Sequence, residues 1–165
     1  MENYSSLDLI TIAIEMEDKG NAFYKKAAAK LEDGEARSIF LRLSDEELKH
    51  KERFKELQSV AIDEMAGDKS ADFFDMEASK YIDDLVHASV FPEDEDIDKV
   101  LEGIREPLDA INMALDLEKD SILLYQALSE GTKNRNTRET VLSIIIEERK
   151  HISLLNSIKL NYRNI

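Results

Sequence analysis

The chain contains the same helical unit twice, and this duplication limits what it can fold into more than any other feature. Shifted by 101 residues, Leu7–Leu57 falls on Leu108–Ile158 without a gap, and twelve of the 51 positions are identical. Roughly three identities are expected for ordinary composition. The pairs are Leu7/Leu108, Asp8/Asp109, Ile10/Ile111, Ala13/Ala114, Glu17/Glu118, Tyr24/Tyr125, Arg37/Arg138, Leu41/Leu142, Glu46/Glu147, Glu47/Glu148, Lys49/Lys150 and His50/His151. Other pairs, such as Met16/Leu117, Leu43/Ile144 and Phe54/Leu155, keep their apolar character.

Each unit reads as two helices joined by a short turn. Ser5 and Asp8 form a capping-box-like start, and apolar residues then recur at helical spacing from Leu9 to Leu31. Glu32-Asp33-Gly34 makes the turn, and a second helix is predicted from about Glu35 to about Val60. In the second unit Pro107 suits a first helical turn, the break falls near Gly131–Asn136, and Asn136 with Glu139 is expected to cap the last helix. Five Gly and two Pro are too few for an all-β chain. The expectation is an all-α four-helix bundle forming a single domain over residues 1–165. Hairpin 1 covers about 5–60, a crossover about 61–106, and hairpin 2 about 107–162. Within the crossover a helix is expected from Ala71 to Ser89, a break at Phe91-Pro92, and a short helix from about Glu93 to Gly103.

The repeat also places chemistry. Glu17 and Glu47 are symmetric about residue 32, each roughly 20 Å along its helix from the turn at about 1.5 Å per residue, so antiparallel packing levels them. Glu118 and Glu148 repeat that relation about residue 133. His50 and His151 each follow a Glu by three positions, one turn along the same helix face. Pairing the hairpins would gather Glu17, Glu47, His50, Glu118, Glu148 and His151, the ligand set of ferritin-like di-iron and di-manganese carboxylate proteins. Four buried carboxylates need compensation, and two divalent ions supply it. Oxygen and nitrogen donors without sulfur suit iron or manganese; zinc or cobalt could also occupy such a site. A lone Glu-x-x-His would mean little in a chain with 36 acidic residues. Asp84 and His87 form such a pair with no counterpart in the repeat and read as surface residues.

The remaining composition mainly excludes. A formal charge of −14, with pI near 4.6 and no basic block, argues against nucleic acid and anionic membranes as partners. Absence of cysteine removes disulfides, thiolate metal sites and thiol catalysis. The first residues have neither a basic flank nor an unbroken apolar run, so no leader or membrane span is expected and the cytoplasm is the default compartment. Tyr24 and Tyr125 lie seven residues beyond Glu17 and Glu118. They read as core aromatics with satisfied hydroxyls, or as partners of ligand carboxylates and candidate catalytic groups that relay electrons. Gly20 either leaves space beside the site or packs against the crossover.

The stretches Ala13–Tyr24 and Asp45–His50, with Ala114–Tyr125 and Glu147–His151, resemble the rubrerythrin branch of the ferritin-like superfamily. The resemblance covers both hairpins. It implies that Glu47 and Glu148 bridge two irons, that Glu17 and Glu118 are terminal carboxylates, and that His50 and His151 bind one ion each. It further implies an oxidoreductase that reduces hydrogen peroxide under oxidative stress, often as a homodimer, some members exchanging helices. Two departures stand out. No rubredoxin module with four cysteines is present, so an external electron-donor protein is implied. Where rubrerythrins resemble one another in an extra Glu one turn past the helix-three ligand, this chain has Ser121, which leaves O2 beside peroxide as the oxidant. Two other readings stay open. One is iron storage of bacterioferritin type, against which stand the long crossover and the 14 residues after His151. The other is a non-catalytic binding module stabilised by metal. A radical-generating role of the ribonucleotide reductase kind fits less well, such subunits being larger.

Overall fold

The computed structural model describes residues 3–32, 34–67, 73–88, 99 and 101–163. Five helices are named among them: α1 (Ser6–Lys30), α2 (Glu35–Gly67), α3 (Met76–Ala88), α4 (Pro107–Gly131) and α5 (Arg135–Arg163). The chain is an all-α four-helix bundle of ferritin-like form. Helices α1 and α2 make one hairpin, α4 and α5 the other, and the hairpins meet α1 against α4 and α2 against α5.

Local sequence explains the ends. Ser5 caps α1 in a full capping box: its hydroxyl accepts the Asp8 N–H, and Asp8 accepts the Ser5 N–H at 2.8 Å. Pro107 opens α4, where Glu106 and Asp109 form the equivalent box. Three expectations are corrected. Helix α2 continues past Val60 to Gly67, since no breaker intervenes. The cap of α5 is Asn134, not Asn136, because the Asn134 Oδ1 accepts the Thr137 N–H at 2.9 Å while Asn136 already lies inside the helix. Glu139 instead pairs with Arg135 at 2.8 Å. Helix α3 begins at Met76, later than Ala71, because Asp75 caps it by accepting the Ala78 N–H at 2.8 Å. Ala71, Ser89, Phe91, Pro92 and residues 93–98 lie outside the described residues; Lys99, Leu101 and Glu102 are helical, with a turn at Gly103.

The crossover is fastened at both ends of the bundle. At one end the Phe74 N–H donates to the Tyr4 carbonyl at 2.8 Å, and the Tyr4 N–H donates to Ser79 Oγ at 3.1 Å. The Phe74 ring lies on the backbone of Gly131, where an added Cβ would come within 1.7 Å of it. At the other end Lys30 Nζ donates to the Leu101 carbonyl at 2.8 Å. A connection that travels the bundle length makes α4 antiparallel to α1, and α5 antiparallel to α2.

Two apolar clusters fill the interior. One holds Phe23, Tyr24, Phe40, Leu43, Ile111, Leu115 and Leu155. The second holds Leu9, Ile10, Phe54, Ile82, Leu124, Tyr125 and Ile144. In all four bundle helices the stretch between the two clusters carries the acids and histidines singled out by the repeat. The polar layer is thus closed above and below by hydrocarbon. Among the described residues no helix is long and apolar enough to cross a membrane.

Candidate metal centre

All six singled-out residues meet in that layer, each buried to 6% exposure or less. Their donor atoms form two overlapping groups, Glu17, Glu47, His50 and Glu148, and Glu47, Glu118, Glu148 and His151. Within each group the donors lie within 4.8 Å of one another. Glu47 and Glu148 belong to both. Their two oxygens divide between the groups: Glu148 Oε1 is 3.0 Å from His50 Nδ1, and Oε2 is 2.9 Å from His151 Nδ1. Glu47 repeats this more loosely, Oε2 at 3.9 Å from His50 and Oε1 at 3.7 Å from His151. Glu17 faces only His50, at 3.7 Å, and Glu118 only His151, at 3.3 Å.

The carboxylates and imidazoles are incompletely satisfied by protein. Glu17 Oε2, both Glu148 oxygens and the Nδ1 atoms of His50 and His151 are buried without a hydrogen-bond partner. Buried orphans of this kind are costly unless an ion takes them up. Apart from Ser6 Oγ, the orphans among the described residues belong to this one cluster, and its donor set is the oxygen and nitrogen chemistry of first-row divalent metals. The residues fit a di-metal carboxylate centre.

The electrostatics require positive charge. Burial, then the charges of Glu148 and Glu17, push the Glu47 carboxyl well above the usual carboxylate range. Burial and Glu148 do the same to Glu118. For Glu148 burial would raise the value, but the two histidines outweigh it and hold it low. Burial alone would lower both imidazoles; Glu118 and Glu148 instead push His151 up to about 11, and Glu148, Glu17 and Glu47 raise His50 further. Protons are the only cations available to a metal-free cluster, and divalent ions would displace them.

Outside the six, the structure adds two symmetric sets of supports. His50 donates from Nε2 to Glu147 at 2.8 Å, and His151 donates from Nε2 to Glu46 at 2.6 Å. Each acceptor is held ionised: burial of Glu147 is outweighed by His50 and Arg53, and burial of Glu46 by Arg42 and His151. When a metal displaces the Nδ1 proton, the proton on Nε2 is therefore the one retained, and the Nδ1 lone pair is left for the metal. Tyr125 donates its hydroxyl to Glu17 Oε1 at 2.5 Å, and Tyr24 donates to Glu118 Oε1. Both phenols are fully buried, and burial followed by the neighbouring carboxylates raises their pKa well above normal, so they remain donors.

All four of these hydrogen bonds cross between hairpins. Glu46 and Glu147 were visible in the sequence as repeat identities, but their role depends on the α2–α5 register, and Arg53 has no repeat counterpart at all. Gly20 faces Glu47 and not the crossover. A Cβ there would lie 3.5 Å from Glu47 Cγ, an ordinary contact. His87 is exposed and bonds only to its own helix, Nδ1 lying 2.8 Å from the Asp83 carbonyl, apart from the cluster.

Comparison with known proteins agrees with this geometry. The chain is 27% identical to a Thermotoga maritima protein whose crystal structure is described as that of a candidate ferritin-like diiron-carboxylate protein. The match has a TM-score of 0.68 and covers 96% of this chain and 97% of that one. None of the curated proteins compared matches the chain. The rubrerythrin family model matches residues 8–90, just over half of the sequence and including the first hairpin with Glu17, Glu47 and His50. The chain belongs to the rubrerythrin family.

Proposed function

We propose that the chain is a di-iron redox protein in which Glu17, Glu47, His50, Glu118, Glu148 and His151 hold two irons, and that it reduces hydrogen peroxide or O2 with external electrons. The supporting observation is the pair of donor groups sharing Glu47 and Glu148, with one oxygen of each turned toward each half. When bound, the iron pair supplies two electrons to the oxidant and recovers them from a donor. For peroxide the balance is H2O2 with two protons and two electrons, giving two waters. The donor is taken to be an external protein; the residues of this sequence include no cysteine.

The chain's own groups prepare the site for this chemistry. Glu46 and Glu147 fix the imidazole tautomers and strengthen both nitrogens as donors. Tyr24 and Tyr125 orient the terminal carboxylates and keep one oxygen of each engaged. The two apolar clusters exclude bulk water above and below. Gly20 and Ser121 occupy equivalent places one turn beyond Glu17 and Glu118, and neither offers a further carboxylate. The test is iron content per chain, followed by anaerobic reduction and rapid mixing with peroxide or with O2. Two irons per chain, oxidised faster than free ferrous ion, are expected. Bound iron that reacts no faster would remove the redox function while leaving the centre.

A further inference from the structure

The metal layer adjoins a surface cleft. A cavity of about 290 Å³ lies between α2 and α5, lined by Arg42, Glu46, Lys49, His50, Glu147, Lys150 and His151. Its floor is the pair of imidazoles, stacked with ring centroids 5.7 Å apart. Both carboxylates in the lining already accept an imidazole N–H, and Arg42 is paired with Glu46 at 3.1 Å. Lys49 and Lys150 are different. Neither forms an ion pair or hydrogen bond among the described residues, in a sequence with 36 acidic residues against 22 basic ones. They occupy the same position in the two repeats, so the relation that pairs His50 with His151 pairs them as well. Two uncommitted ammonium groups at one cleft, where acids are in large excess elsewhere, mark a place built to receive negative charge.

We propose that this cleft is an anion-binding subsite that takes a small oxyanion of the phosphate or carboxylate class between Lys49 and Lys150, beside the ligand imidazoles. Its volume is at the lower end for ligand pockets, which suits a small anion or one anionic group of a larger molecule. The same two lysines repel cations, so this face is a poor route for ferrous ion. The site's effect on the metals rests on the di-iron reading. An anion here is favoured by additional positive charge below it, and by reciprocity it stabilises the oxidised pair over the reduced one.

Binding is tested without redox chemistry, on the zinc-loaded chain, by following backbone amide resonances during titration with inorganic phosphate and separately with succinate. Ionic strength is held constant with chloride. Saturable shifts confined to residues 42–50 and 147–151 are expected with at least one of the two anions. The Lys49→Ala/Lys150→Ala double variant should weaken binding about tenfold or more, while Lys25→Ala leaves it unchanged. Shifts that fail to saturate, that chloride reproduces (an adventitious ion only), or that persist unchanged in the double variant would overturn the subsite. In the iron-loaded chain the anion should lower the midpoint potential, and the double variant should lose that shift. An unchanged potential with saturable binding in the zinc form would overturn the coupling, and a chain without iron redox would overturn the di-iron reading but leave the binding result standing.

Discussion

The two hairpins descend from one pattern, yet they keep different things constant. Around the metal layer they match residue for residue: Glu17 and Glu118, Glu46-Glu47 and Glu147-Glu148, His50 and His151, and the two tyrosines. One turn away they diverge. Tyr24 packs edge-on against Phe40 and Tyr125 lies tilted against Phe54, both from α2, whereas the α5 counterparts of these phenylalanines are Val141 and Leu155. In hairpin 1, Asn21 clamps Ser44 through two hydrogen bonds of 2.8 Å; the equivalent residues of hairpin 2 are Ile122 and Ile145. Glu46 takes its guanidinium from Arg42 on its own helix. Glu147 takes one from Arg53 across the bundle, where Ser143 stands in the place of Arg42 and itself accepts from Arg53. Packing has drifted while donors and their hydrogen-bond partners have not. The layer is therefore held for its chemistry, because stability alone would be served by any well-packed core.

The sharpest way to break this comparison is to remove the carboxylates common to both donor groups. Glu47→Ala and Glu148→Ala should each take bound metal from two per chain to nearly none, while Glu17→Ala and Glu118→Ala should each leave about one. Elemental analysis of the four variants reads this directly. Equal losses in all four would deny that Glu47 and Glu148 differ from the terminal pair.

Metal removal gives the next largest effect, and it depends on pH. Glu47 and Glu118 have folded-state values raised above the unfolded one. Their stabilising contribution is complete below the unfolded value of about 4.3 and is lost as pH rises through the raised values. His151, raised to about 11, contributes fully below about 6.5 and loses that contribution as pH climbs toward the folded value. The lowered carboxyls Glu148, Glu46 and Glu147 act in the opposite sense, but only as pH falls below about 4. The metal-free chain should accordingly melt lower at about pH 8.5 than at about pH 5.5. Added metal should raise the Tm more at the higher pH, because the protons that binding displaces are then released at a lower proton activity. At a thousandfold excess over Kd the gain is about 4 kcal/mol.

Core substitutions probe the divergent part. Phe40→Ala should cost about 3–5 kcal/mol, and Val141→Ala, which removes two methyl groups, about 2 kcal/mol. Urea denaturation of the metal-loaded protein measures both. The tyrosines should behave alike in spite of their different neighbours: Tyr24→Phe and Tyr125→Phe each remove a donor to a carboxylate and should cost about 1.5–3 kcal/mol in the loaded form. A clear inequality between them would show that the aromatic surroundings, and not the carboxylate bonds, set their contribution. The smallest effect belongs to Gly20→Ala, where relief of a helical glycine offers up to about 1 kcal/mol and the new Cβ meets Glu47 at an ordinary distance. Calorimetry should find it neutral or slightly stabilising.

Much of this was legible in the sequence because a gapless repeat converts spacing into geometry. The levels of Glu17, Glu47, Glu118 and Glu148 follow from helix rise and two short turns, and the fold follows from the pairing of two such hairpins. What was not legible depends on contacts between hairpins. That Tyr24 reaches Glu118, and Tyr125 reaches Glu17, requires knowing that the crossover makes α4 antiparallel to α1. Once that is known, both pairs follow from a single register, as do His50 with Glu147 and His151 with Glu46. Arg53 left no trace in the repeat, since Leu154 occupies the equivalent place. The ends of α3 and α5 were misjudged where Asp75 and Asn134 cap in preference to residues a few positions away, a competition decided by a single hydrogen bond.

The central claim is that Glu47 and Glu148 place two metals close enough to act as one centre. Mössbauer spectroscopy of the oxidised, iron-57-loaded chain, combined with iron counted per chain, tests it most directly. Two irons per chain in a spin-coupled pair with a diamagnetic ground state are expected, shifting to isolated ferric iron in Glu118→Ala. Two magnetically independent ferric ions in the native chain, or a single iron, would contradict the shared-carboxylate centre.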